Sequence, residues 1–200
     1  MGRSDCLAEE VRLISNKRLR EFITSFLEDV VLDYFYTAPA SSSGKYHPEY
    51  ALGVGGLVRH TKAAVKIADD LLSLEQNEVL NELYHDEIIS ALIVHDTFKQ
   101  GFNKGGHTKF EHPWFAAQAL QLYAKENYDD LLPVAISIAT MVCSHMGQWN
   151  TSTRSSLVLP KPYSDAEKFV HMCDYLASRK YLMVDVKYEP QTKEQATEET

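Results

Sequence analysis

The chain has 200 residues, 44% of them hydrophobic, which is enough for one sizeable core and a single compact unit. Its formal charge is −8, of which −2 lies in residues 186–200, and the remaining −6 disfavours a broad electrostatic grip on nucleic acid while leaving room for a small anionic ligand held by a few local bases. No apolar run approaches the roughly 20 residues of a membrane span, the first residues are charged and polar rather than signal-like, and Cys6, Cys143 and Cys173 form neither an even set nor a CxxC pair; the expectation is a soluble cytoplasmic protein with no membrane partner and reduced thiols.

Residues 7–36 read as one or two helices, since Leu13, Leu19, Phe22, Ile23, Phe26, Leu27, Val30, Val31 and Tyr34 recur at helical spacing. Thr37 to Gly56 is rich in Pro, Ser and Gly and reads as a long loop, often a functional feature inside a compact domain. The next predicted helix, 57–74, carries one polar stripe (Lys62, Lys66, Asp69, Asp70), whereas 86–99 is almost continuously apolar and must be buried. Helices over 113–126 and 131–146 follow, the first opened by Pro113 and the second preceded by Asp129 and Asp130 and stopped by Gly147. The last, 165–182, opens with a capping box of Ser164 and Glu167. Only short pieces such as Leu157–Leu159 look extended, so the fold class is all-α. The expected layout is an N-terminal helical segment over 1–36, one helical domain over 37–185, and a polar tail over 186–200 whose composition cannot support a packed element.

Placed at 3.6 residues per turn, His60 lies far round its helix from the polar stripe and above Ala64, Ile67 and Leu71, so it points inward. His95 and Asp96 end the most hydrophobic helix, where an ionised carboxylate is costly unless something pairs it. Asp174 repeats that anomaly on a face made by Val170, Cys173 and Ala177. His112 stands at a helix start and His145 at a helix end. Together these six supply four imidazoles and two carboxylates, enough for one or two first-row divalent ions such as Mn, Fe, Co, Ni or Zn. The bland alternative is a buried His and Asp hydrogen-bond network.

In this order, the phrases YHPEYALGVGGLVRHT, ALIVHDTFK, EHPWFAAQAL, MVCSHMGQWN and PKPYSDAEKFVHMCDYLASRK resemble the HD-domain metal-dependent phosphohydrolases, and among them the catalytic part of the bacterial HD-type 3′ to 5′ exoribonucleases. The likeness spans about residues 35–182. It implies an HD-type helical bundle with a central metal site, in which His60, His95, Asp96 and Asp174 hold the principal divalent metal, Asp96 bridges, and His112 and His145 add a second ion. Two departures stand out: His145 is followed by Met146 where many relatives have a second histidine, and no GYP motif is present. The exoribonucleases also carry an OB-type domain ahead of the HD part, where this chain has a helical segment.

The resemblance also implies that Asp96 and Lys99 are catalytic, Lys99 facing the phosphate; one turn separates it from His95. Lys104, Lys109 and Arg154, with Lys161, are further loop bases for a phosphate, and Tyr46, His47 and Trp149 are aromatic candidates for a base pocket. His85, His107 and His171 carry no specific assignment, although His171 lies one turn before Asp174, within reach of orienting it. The expected activity is hydrolysis of phosphate esters of nucleotides or similar small metabolites. A 3′ to 5′ exonuclease or other phosphodiesterase acting on nucleic acid is the enzymatic alternative, and a non-catalytic HD signalling module is the alternative of another class.

Overall fold

A computed structural model describes residues 2–41, 44–102 and 106–182. The predicted tail therefore lies outside the described residues, as does Lys104. Among the described residues eight α-helices form and no β-strand: α1 (Ala8–Arg12), α2 (Lys17–Asp29), α3 (Asp33–Thr37), α4 (Gly56–Leu72), α5 (Glu78–Val94), α6 (His112–Asn127), α7 (Leu132–Ser144) and α8 (Asp165–Ala177). The fold is all-α, and no helix is long and apolar enough to cross a membrane. Cys6 is exposed, Cys143 half-buried and Cys173 buried, and all three are free thiols.

The first segment is three helices rather than one or two, because two local features interrupt the apolar periodicity. Asn16 caps α2 by accepting from the Leu19 amide, and Leu32 is extended between α2 and α3. Asp86 on α5 accepts hydrogen bonds from the Ser15 and Asn16 amides, at 2.8 and 2.7 Å, in the gap between α1 and α2. Burial pushes the Asp86 carboxyl up, but these two amides and His85 outweigh it and hold it below its ordinary 3.8. Its contribution is therefore complete above pH 3.8 and is lost as pH falls below that value through the lower folded pKa. Asp86→Ala is expected to cost about 2 kcal/mol at pH 7, a difference that shrinks as denaturation is measured at progressively lower pH. An equal cost at pH 7 and pH 2 would contradict this.

Helix α5 is the centre of the bundle. Ile88 through Val94 are all buried, as its unbroken apolar run demands, and α4, α7 and α8 pack around it. The core is continuous from Leu7 to Ala177, so the N-terminal helices share it with the rest. Burying each large aliphatic side chain there contributes about 1.5–3 kcal/mol.

Three predicted boundaries move. Helix α5 starts at Glu78 and stops at Val94 rather than running over 86–99. Beyond Val94 the chain tightens: the amides of Thr97, Lys99 and Gly101 donate to carbonyls three residues back, and the Thr97 hydroxyl takes the Val94 carbonyl. Helix α7 stops at Ser144, with His145 as its cap. Helix α8 has the expected Ser164 and Glu167 capping box but ends at Ala177, followed by a short 3₁₀ turn at Lys180–Leu182. Leu157–Leu159 forms no strand; Leu159 instead exchanges hydrogen bonds with Asn150 across a loop.

The long segment before α4 is ordered where it is described. Arg59 donates to the carbonyls of Tyr50, Leu52 and Val54. A Cβ at Gly56 would lie 2.2 Å from the Ala51 carbonyl oxygen, so only glycine lets this loop close on the start of α4.

Candidate metal centre

The chain brings all six predicted ligands to one buried place. His60 comes from the second turn of α4, His95 and Asp96 from the end of α5, His112 from the start of α6, His145 from the end of α7 and Asp174 from α8. The four histidines and Asp96 are almost fully buried. Their donor atoms fall into two triads, His60 with His95 and Asp174, and Asp96 with His112 and His145; within each triad the ligand atoms lie within 4.8 Å of one another.

Asp96 stands between the triads. Its Oδ1 is 3.0 Å from His112 Nε2 and 3.8 Å from His145 Nε2. Its Oδ2 is 3.5 Å from His95 Nε2 and 3.8 Å from His60 Nε2. One carboxylate thus offers an oxygen to each side, the position a bridging ligand needs. Asp174 Oδ1 closes the first triad at 3.0 Å from His60 Nε2 and 3.6 Å from His95 Nε2.

Backbone carbonyls fix three imidazoles. Nδ1 of His95, His112 and His145 lies 2.7 Å from the carbonyl of Leu92, Lys109 and Val142 respectively. A carbonyl only accepts, so each Nδ1 carries a proton, and in the neutral form of each ring the Nε2 lone pair is turned inward. The Nε2 atoms of His112 and His145 are 3.3 Å apart, and both face Asp96 Oδ1. Burial holds the His112 pKa down, with the charge of Lys99 adding to it, and burial pushes His145 down to about 3, with His95 as the next cause. At neutral pH His112 and His145 therefore turn two bare nitrogens, 3.3 Å apart, toward Asp96 Oδ1, which itself accepts from Lys99; the two imidazoles have no proton to share, and a divalent cation would satisfy both. The residues present fit a metal.

Both carboxylates are held ionised. Burial raises the Asp96 pKa, but Lys99, His95 and His112 overcome it and keep it well below the usual range. For Asp174 the opposing groups are His60 and His95. Burial lowers the His95 pKa, yet Asp96 and Asp174 outweigh it and the net displacement is upward. Nδ1 of His60 is buried without a hydrogen-bond partner among the described residues.

Lys99 meets Asp96 directly, its Nζ 2.9 and 2.8 Å from the two carboxylate oxygens. The tight turn after Val94 makes this contact, and Tyr34 secures that turn, its hydroxyl lying 2.9 Å from the Gly101 carbonyl and accepting from the Gln100 amide. Tyr34 reads in sequence only as a core position; its role depends on a contact 66 residues away in the chain, which periodicity does not show.

The loop bases separate from this cluster. The Lys109 side chain is exposed while its carbonyl orients His112, and Arg154 is exposed on a turn with no ion pair among the described residues. His171 does not orient Asp174: its Nδ1 lies 2.6 Å from the His145 carbonyl, because α8 passes the end of α7 there. Gly147 makes room for that ring, since its own φ is +58° and a Cβ would lie 2.2 Å from His171. His47, from the long loop, sets its ring edge-on to His60 at 5.5 Å between centres. Comparison with protein-family models, with curated proteins and with solved structures gives no match to this chain.

Proposed function

We propose that the protein is a metal-dependent phosphohydrolase of HD type, acting on phosphate esters of nucleotides or similar small metabolites at the His and Asp cluster. The observation that carries the reading is the pair of triads on either side of Asp96. The six residues that converge are those the HD-like phrases of the sequence imply as ligands. His60, His95 and Asp174 would hold one divalent ion and His112 and His145 another, with Asp96 serving both. Bound divalent ions supply Lewis acidity toward a phosphoryl oxygen and lower the pKa of water towards neutrality.

The protein's own groups prepare that chemistry. The Leu92, Lys109 and Val142 carbonyls hold three imidazoles in the tautomer that turns a lone pair inward. Asp96 and Asp174 stay ionised, so no proton has to leave them on metal binding. Lys99 is 15% exposed and places a cation at the edge of the buried cluster, where an anionic ester must approach. Neutralising charge on a phosphoryl group by a positioned cation is a large part of catalysis in such reactions.

Elemental analysis together with turnover of a generic phosphomonoester and a generic phosphodiester, each with several divalent metals, tests the reading. Metal-dependent hydrolysis of either ester is the expected result; bound metal without hydrolysis of either would favour a binding module. Lys99→Ala is expected to lower turnover about 10²-fold while metal per chain stays at the wild-type value. Loss of metal with an unchanged rate per loaded molecule would make Lys99 a structural partner of Asp96 instead.

A further inference from the structure

A second cluster lies beside the ligands and takes no part in the chemistry described above. The guanidinium carbon of Arg179, just past the end of α8, is 4.1 Å from the centre of the Tyr175 ring, 5.1 Å from Trp149 and 5.8 Å from Tyr46. The Trp149 and Tyr175 rings are parallel within 9°, their centres 5.8 Å apart. Tyr46 is nevertheless 54% exposed and Trp149 43%. Two large rings thus keep part of their faces toward solvent beside a cation, where a flat ligand has room to stack. The Nε of Arg179 is buried and has no hydrogen-bond partner among the described residues.

This cluster is linked to each triad through one intermediate residue. Tyr46 precedes His47, whose ring stands against His60. Trp149 stands 6.3 Å from the His171 ring, which in turn meets the His145 carbonyl. The Lys180 amide donates to the Tyr46 carbonyl and the Tyr50 hydroxyl to the Ala177 carbonyl, so the loop and the end of α8 are tied together and Tyr46 and Arg179 keep one side.

We propose that Tyr46, Trp149 and Arg179 form a nucleobase subsite of the metal centre. A base stacks on the exposed aromatic faces and accepts hydrogen bonds from the guanidinium along its edge. Stacking and a planar fork of donors are how proteins take a neutral heterocycle, and neither needs a basic surface, which this chain of charge −8 does not offer as a whole. The inference rests on the phosphohydrolase reading for the direction of the phosphate, toward the ligands, and not for the contact with the base.

The chain has two tryptophans, so Trp114→Phe leaves Trp149 as the sole tryptophan, excited selectively over the tyrosines at the red edge of the absorption band. Its fluorescence is titrated with adenosine, which carries the base and no phosphate, and with ribose 5-phosphate, which carries no base. Adenosine is expected to quench Trp149 saturably and ribose 5-phosphate to leave it unchanged. In this background Arg179→Ala and Tyr46→Ala are each expected to raise the half-saturating adenosine concentration roughly five- to hundredfold, and Arg179→Lys, which keeps charge and loses the planar fork, to raise it less. Tyr46→Ala keeps the test open should the arginine variants fold poorly. Absence of quenching by adenosine, equal quenching by ribose 5-phosphate, or unchanged affinity in both alanine variants would overturn the subsite. An active, metal-loaded enzyme that gives no quench refutes the subsite alone; saturable quenching in a protein without hydrolytic activity refutes the hydrolase reading alone.

Discussion

Asp96→Asn is expected to leave less metal on both triads at once and to lower phosphate-ester hydrolysis about 10³-fold or more. Asp96 is the single residue with an oxygen toward each triad, Oδ1 on the side of His112 and His145 and Oδ2 on the side of His60 and His95. An amide keeps the shape but carries no charge, and its nitrogen does not coordinate a hard or borderline cation, so one side loses its ligand outright and the other keeps a weaker one. Removing one partner of a buried ion pair costs about 3–5 kcal/mol when the other charge is left uncompensated. Lys99 is 15% exposed and can turn its ammonium to water, so the loss falls toward the lower end of that range. Thermal denaturation separates the two effects: a folded Asp96→Asn protein with both metals and wild-type turnover would remove Asp96 from the centre of the account.

His145→Ala is expected to leave about one metal per chain and to lower turnover about 10²-fold or more. His145 belongs to the triad that has only two imidazoles and the shared carboxylate, and the neighbouring Met146 offers no hard-metal donor. Deleting its ring leaves His112 alone with Asp96 Oδ1, while His60, His95 and Asp174 keep their full set. The same asymmetry orders the wild-type protein: in a chelator titration the ion of the His112 and His145 side should leave first. Wild-type metal content and activity in His145→Ala would favour a single-ion mechanism over the proposed two-ion one.

The helical class and the inward placement of His60, Asp96 and Asp174 were readable from sequence for the same reason, because burial is written in periodicity; His112 and His145 stand at helix ends and entered only through the HD-like phrases. His60 sits on the apolar side of α4, and Asp96 and Asp174 are carboxylates on faces that otherwise carry no charge, an arrangement that is costly without a partner. What the periodicity did not carry is how the chain turns between helices. The expected helix over 86–99 runs straight through the turn after Val94, yet that turn is what brings Lys99 onto Asp96. The apolar break at Leu13–Asn16 has a local part, the Asn16 cap, but is also held by Asp86 from another helix, which has no local signature. His171 illustrates the same limit: helical spacing places it a turn from Asp174, but the approach of α7 gives its Nδ1 to the His145 carbonyl. The role of Arg179 was likewise invisible, since its aromatic neighbours Tyr46 and Trp149 come from loops 133 and 30 residues away.

The central claim is that two divalent ions share Asp96, and anomalous diffraction from crystals soaked in manganese or zinc tests it most directly. The expected map has two peaks, one bounded by His60, His95 and Asp174 and the other by His112 and His145, with the Asp96 carboxylate between them. A map with no peak at this cluster, or with one peak that Asp96 does not touch, would contradict it.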